Sequence, residues 1–234
     1  MGVVDKSGTF SRLFGVGLAG RSGAADADGP SAYDRRGVGS GACGTRIHYA
    51  AWLGNLAAIR ILNVEFKLTS CTVRSWEWRD RDAIVRHANN RNVWLNLRDR
   101  FPYPYTHADA RNWLDSVVGL KPETNFAIAV ADEAVGGIGF TIQHDVAYRS
   151  AEIGYWLGQE FWGRGLATQA LIAVTEYAFS TYDLCRLYAH VFDWNAASAK
   201  VLQKAGYTFE GRLRKSVTKD GQTIDQLMYA KTRD

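Results

Sequence analysis

The stretch Ala151-Glu152-Ile153-Gly154-Tyr155-Trp156-Leu157, followed by Phe161-Trp162-Gly163-Arg164-Gly165-Leu166-Ala167-Thr168, decides the fold. Glu152 to Leu157 reads as a strand. Residues 167–179 read as the best helix of the chain, with Ala167, Ala170, Leu171, Val174 and Ala178 at helical spacing. Between them, Gly163 and Gly165 let backbone approach an anion closely. The free N–H groups of a first helical turn point at such an anion, and the helix dipole favours negative charge there. Arg164 adds a cation beside it. A bare Gly-x-Gly is also an ordinary turn, so the flanking strand and helix carry the reading.

A contrast lies near the start of the chain. Gly15-Val16-Gly17-Leu18-Ala19-Gly20 matches the dinucleotide pattern GxGxxG letter for letter. That fingerprint needs a strand before it and a helix after it. Here a Gly- and Asp-rich stretch follows, with Pro30 soon after, so no nucleotide site is expected. Residues 1–44 hold 11 of the 23 glycines and show no sustained periodicity. Such a segment buries too little apolar area to offset its ordering entropy. Residues 1–63 are therefore expected to be a disordered, Gly-rich N-terminal extension, with a candidate helix in 44–63. Residues 64–234 form the expected domain.

Working outward from the central stretch, Phe66–Arg74 reads as a first strand and Arg79–Ala88 as a helix. Pro102 and Pro104 force a loop. Thr106-His107-Ala108-Asp109 has the form of a capping box and opens a helix through Val118. Phe126–Val130 and Val135–Gln143 read as paired strands. Beyond the central helix, Leu187–Val191 reads as a strand and Ala196–Ala205 as a helix, N-capped by Asn195 and ended by Gly206. Phe209–Val217 and Thr223–Ala230 flank the hairpin signal Asp220-Gly221. The order β, α, α, β, β, β, α, β, α, β, β implies an α+β fold rather than a doubly wound sheet.

Composition sets bounds. In 234 residues, 47% are hydrophobic and 12% aromatic, enough for a substantial core. No run of 18 apolar residues occurs, so no membrane span is expected. Cys43, Cys71 and Cys185 are odd in number, widely spaced and without a CxxC pair. A disulfide framework and a zinc site are both disfavoured; no metal is expected, and a reducing, cytoplasmic location is. The net charge of +4 suits an anionic ligand without requiring one. No RNA-binding signature appears, so direct nucleic-acid binding is not expected.

The central stretch, together with Asn195-Ala196-Ala197-Ser198, Lys204-Ala205-Gly206-Tyr207-Thr208-Phe209-Glu210-Gly211 and Leu97-Arg98-Asp99-Arg100-Phe101-Pro102, resembles the GNAT acetyltransferases. Within them it is similar to the subgroup acting on the N-termini of ribosomal proteins. The resemblance covers roughly residues 64–232. It implies a mixed, mostly antiparallel sheet of about seven strands with flanking helices and a splayed strand pair. It also implies acetyl-CoA as cosubstrate, an amine acceptor such as a ribosomal-protein N-terminus, and a monomer or homodimer.

The family's pyrophosphate motif is Q/R-x-x-G-x-G/A. Gly165 and Ala167 match it, while Trp162 stands in its first position. The resemblance thus assigns Trp162, Gly163, Arg164, Gly165, Leu166, Ala167 and Thr168 to the pyrophosphate. The pantetheine arm would pair, like an added strand, with the backbone of Tyr155, Trp156 and Leu157. An N–H near Leu157 would be the oxyanion donor. Asn195 and Lys204 complete the expected cofactor set; Asn195 also has its plain role as N-cap.

Acid–base roles are less constrained by chemistry. An α-amino group has a pKa of about 7.7–8.0, so about a tenth is already neutral at pH 7. A thiol, at about 8.5, needs little help to leave. Glu152 is the leading candidate base, against the alternative of a structural salt bridge. Ser198 is the leading candidate acid, against the alternative of an ordinary first-turn serine. The Tyr found seven residues after the motif Asn in many relatives is Leu202 here. The Glu that partners the Ser in the subgroup falls at Val217. Tyr188 and His190 share one face of the splayed strand, as relays or bystanders. Two other readings stay open: a small-molecule acceptor (polyamine, aminoglycoside or metabolite), or a catalytically weak CoA-binding regulatory domain. A cleft lined by several carboxylates would favour polycations; an open groove would favour a peptide end.

Overall fold

A computed structural model describes residues 64–233. The Gly15–Gly20 motif, the expected disorder of residues 1–63 and the candidate helix in 44–63 lie outside the described residues. Among the described residues, eight strands form one sheet in the order β1-β2-β3-β4-β5-β6-β8-β7. All neighbours are antiparallel except β5 and β6.

The β-branched run Phe66–Arg74, expected as one strand, folds back on itself. Glu65–Lys67 (β1) and Thr72–Ser75 (β2) pair as a hairpin, with Phe66 opposite Val73. The Leu68 N–H closes the turn onto the Cys71 carbonyl at 2.9 Å. This split raises the strand count to eight. Trp78–Asp80 form a single 3-10 turn, and the α-helix α1 runs only Arg81–Ala88. A one-turn helix, Arg91–Trp94 (α2), had no periodicity to announce it. Asn90 caps it, its Oδ1 accepting from the N–H groups of Asn92 and Val93.

The other elements fall where expected within a few residues. The helix α3, His107–Val117, opens on the reciprocal Thr106–Asp109 capping box. The strands β3 (Asn125–Val130) and β4 (Glu133–Ile142) form a hairpin, and β5 spans Ser150–Leu157. The helix α4, Leu166–Thr181, carries the chain over to β6, Arg186–Phe192. Then come α5 (Ala196–Lys204), β7 (Thr208–Lys219) and β8 (Gln222–Thr232). Asp220 and Gly221 both have positive φ, as the tight turn between β7 and β8 requires.

Each face of the sheet has its own core. On one face, Phe126, Ile128, Phe140, Ile153 and Leu157 pack with Ala170, Leu171 and Val174 of α4 and Leu202 of α5. On the other, Trp76, Ala127 and Trp156 pack with Ile84 of α1, Val93 of α2 and Trp113 and Leu114 of α3. The middle strands are covered on both sides, which explains the nearly continuous burial along β3 and β4. Among the described residues, no helix is long and apolar enough to cross a membrane.

Candidate active site

The strands β5 and β6 pair over only three positions: Ser150 with Arg186, Ala151 with Leu187 and Glu152 with Tyr188. Beyond Glu152 they diverge, while β5 stays paired to β4 as far as Leu157. The bonds Gly158 N–H to Val135 C=O and Gln143 N–H to Ser150 C=O fix which backbone groups face β4. By alternation, even-numbered residues of β5 bond β4, and odd-numbered ones turn the other way. The Tyr155 backbone and the Leu157 N–H therefore face the gap, where β6 no longer reaches them. The Leu157 carbonyl is taken by Trp162, whose Nε1 donates to it at 2.9 Å. This bond gives a structural reason for Trp in place of the motif's usual Gln or Arg.

The gap opens onto the N-terminus of α4. Gly163 (φ +74°) and Gly165 (φ +78°) take left-handed conformations that other residues rarely adopt, and neither faces an atom where a Cβ would stand. The first bond of the helix runs from the Gln169 N–H to the Gly165 carbonyl at 3.1 Å. The N–H groups of Leu166, Ala167 and Thr168 are thus left without intrahelical acceptors, beside open space. Gap and helix terminus belong to one cleft of about 470 Å³. An extended ligand fits it that ends in phosphates and presents amide groups to a strand edge.

The sequence of this region matches a family model described as an acetyltransferase (GNAT) domain, over residues 71–208. The chain belongs to the GNAT acetyltransferase family. This GNAT chain is similar to the uncharacterized N-acetyltransferase p20 of Bacillus licheniformis, 31% identical over 167 residues, which cover 68% of the chain and 90% of that protein. It is 29% identical to the [ribosomal protein uS5]-alanine N-acetyltransferase of Escherichia coli over 66% of the chain and 81% of that protein. Among solved structures, Mycobacterium smegmatis RimJ in complex with CoA-disulfide aligns with a TM-score of 0.60 at 26% identity, covering 73% of this chain and 86% of that one.

The GNAT cleft brings together most of the residues singled out from the sequence; Tyr188, one of the two relay candidates, is not among those lining it. Glu152, Tyr155, Trp156, Leu157, Asn195, Ser198 and Lys204 line it, as do Trp162, Gly163 and Gly165 to Thr168. Arg164 does not. Its guanidinium lies over the Phe161 ring, 5.0 Å from the centroid. The expected phosphate cation thus stacks on Phe161, a residue that lines the cleft, without lining it itself. Lys200, one turn before Lys204 on α5, lines the cleft instead.

On the α5 side, Asn195 caps the helix, its Oδ1 accepting from the Ser198 N–H at 3.0 Å. The Ser198 hydroxyl lies 2.9 Å from the phenolic oxygen of Tyr155. Sequence reading gave Tyr155 a backbone role only. Its side chain belongs to the site because odd-numbered positions of β5 point toward α4 and α5. Burial pushes the Tyr155 phenol up to about 12, against the pull of its Ser198 hydrogen bond.

Glu152 lies on the opposite face. Arg98, from the loop after α2, donates through Nη2 to Glu152 Oε1. His190 Nδ1 stands 3.1 Å from the same oxygen. Burial alone would push the carboxyl up. The His190 hydrogen bond and the nearby charges of Arg98 and Arg100 outweigh it and hold Glu152 below the usual carboxylate range. Gly139 and Gly154, paired across β4 and β5, leave the floor beside Glu152 without side chains. Asn125 reaches that floor, its buried Oδ1 unmatched by any donor among the described residues. Arg98, Arg100, Asn125 and His190 all line the cleft. Sequence reading had Arg98 and Arg100 only within a motif and His190 only as a relay candidate.

Proposed function

We propose that this GNAT enzyme transfers the acetyl group of acetyl-CoA to a primary amine, the α-amino group of a protein N-terminus. The observation that carries the reading is the shared cleft: a strand edge free to pair and a helix terminus free to bind phosphate. In this reading the pantetheine amides pair with the gap-facing backbone of β5. The pyrophosphate sits on the N–H groups of Leu166 to Thr168, with Lys200 and Lys204 adding positive charge. The Leu157 N–H donates to the oxyanion that develops on the acetyl carbonyl. Ser198, backed by the Tyr155 phenol, supplies a proton to the departing thiolate.

The lining favours a peptide end over a polycation. Glu152 is the only acidic side chain among the described residues lining the cleft, and Arg98 and His190 already engage it. Two arginines beside it would repel a polyamine or aminoglycoside. The likeness to the [ribosomal protein uS5]-alanine N-acetyltransferase supports the same reading, and a cytoplasmic location goes with it. The test incubates the full chain and acetyl-CoA with Ala- and Ser-starting peptides, spermidine and an aminoglycoside, reading free thiol and acetylated mass. Acetylation of the peptides at a kcat/KM well above that of the polycations is expected. Preference for polycations would overturn the acceptor assignment, and acetyl-CoA binding without turnover on any amine would leave a CoA-binding regulatory domain.

A further inference from the structure

Glu152, in the last paired position of β5 with β6, meets His190, two residues past that pair on β6, at the mouth of the gap. We propose that His190, not Glu152, takes the proton from the attacking amine, and that Glu152 acts through His190 as a positioning residue. The inference rests on the acetyl-transfer reading above and adds the identity of its base.

Geometry assigns the tautomer. Glu152 Oε1, 3.1 Å from His190 Nδ1, is an ionised carboxylate and only accepts, so Nδ1 carries the hydrogen. The neutral ring then has its lone pair on Nε2. Among the described residues Nε2 has no hydrogen-bond partner, and His190 lines the cleft. The ring plane is set by edge-on packing against Tyr188, with centroids 5.5 Å apart at 82°. An imidazole so oriented by a carboxylate is the arrangement that makes a directed base.

Glu152 itself is poorly placed for the task. Arg98 and His190 both occupy its Oε1, and the surrounding cations keep it ionised. A carboxylate held below its usual range is a weak base toward an α-amino group. The other groups around His190 do not compete. Tyr188 faces it from its own strand, Arg98 and Arg100 act on it through Glu152, and β8 presents uncharged Met228 opposite it.

In the step, the amine nitrogen forms the C–N bond to the acetyl carbon and gives its proton to His190 Nε2. The C–S bond breaks, and the thiolate takes a proton from the Ser198 side. The imidazolium releases its proton to solvent, and solvent restores Ser198, so the charge balances.

Four variants test this in the full chain with its best acceptor peptide: His190→Gln, His190→Ala, Glu152→Gln and the double His190→Gln/Glu152→Gln. His190→Gln is expected to lower kcat about 10²–10³-fold with acetyl-CoA affinity retained. It should also abolish the limb of the kcat/KM–pH profile that reports the base. Glu152→Gln is expected to lower kcat less, because the ring keeps Nε2 but loses the carboxylate that orients it. Adding Glu152→Gln to His190→Gln should cost almost nothing more. Imidazole in the buffer should restore part of the activity of His190→Ala. A His190→Gln enzyme within about twofold of wild type, or a Glu152→Gln cost that persists in full in the His190→Gln background, would overturn the proposal. A wild-type enzyme silent on every amine would instead sink the underlying acetyl-transfer reading, before any variant is made.

Discussion

The Tyr155 phenolic oxygen stands 2.9 Å from Ser198 Oγ, joining residues 43 apart in sequence. Burial keeps the phenol protonated at neutral pH. Its one proton can go to the Ser198 hydroxyl oxygen or to the Ser198 carbonyl, and in the first arrangement the serine hydroxyl is free to donate onward. Ser198→Ala is expected to lower kcat about tenfold, at the low end for a general acid because the leaving thiol is itself acidic. The deficit should shrink above about pH 8.5, where the thiolate no longer needs a proton. The variant should fold, because the Tyr155 hydroxyl also reaches the backbone carbonyl of residue 198 at 3.2 Å. Steady-state kinetics across pH at saturating acetyl-CoA check this.

Gly165 and Gly136 predict opposite outcomes for the same substitution. At Gly165 a Cβ meets nothing within 4 Å, but φ is +78°. Gly165→Ala should therefore cost only the left-handed penalty, about 1–2 kcal/mol. Much of that cost should fall on the phosphate-binding turn, seen as weaker acetyl-CoA binding by calorimetry in a protein that still folds. At Gly136 a Cβ would stand 2.3 Å from the Trp156 carbonyl oxygen. Gly136→Ala pushes β4 off β5 and should fail to give soluble, folded protein.

Many residues that line the cleft could be named from the sequence, but Asn125, Lys200 and most side-chain partners could not. The glycine turn, the helix after it and the Asn195 cap are local signals, each read within a few residues. Glu152 with Arg98, Glu152 with His190 and Tyr155 with Ser198 are non-local. They depend on which face each side chain takes and on the loop after α2 folding over the sheet. Periodicity also misled at Phe66–Arg74, where a β-branched run hides a turn at Leu68–Cys71. The one-turn helix α2 is too short to show a period at all. The seat of Arg164 on Phe161 follows from ring packing, which no phosphate motif encodes.

Arg74 and Asp80 form a buried, bidentate ion pair at 2.7 and 2.8 Å beneath the α1 layer. Asp80→Ala is expected to destabilise the fold by about 3 kcal/mol, the low end for a broken buried pair, because the Arg74 guanidinium loses its bidentate partner and keeps as counter-charges only Glu77 at 3.9 Å and Asp132 at 3.7 Å. Replacing both residues with apolar ones of similar volume should recover much of that loss. Urea unfolding of the single and double variants distinguishes the two.

Lys219 ties the tip of the β7–β8 hairpin to the loop that carries Arg98. Its side chain is 2% exposed, its Nζ lies 3.6 Å from the Trp94 ring centroid, and it donates to Asp99 Oδ1 at 2.7 Å. Next to it, Asp220 accepts from Arg91 at 2.6 Å. Hairpin and loop thus hold each other, and through Arg98 the loop holds Glu152. Lys219→Met keeps the apolar stem and some ring contact but loses the charge on both Trp94 and Asp99. The cation–ring contact is desolvated and contributes about 2 kcal/mol, so a fall in Tm of several degrees is expected. Because the contact lies on the Arg98 side of the sheet and away from the α4 terminus, the KM for the acceptor peptide should rise several-fold. The affinity for acetyl-CoA should stay within about twofold of wild type. Equal losses on both substrates would mean that the hairpin supports the fold as a whole rather than the acceptor side of the cleft.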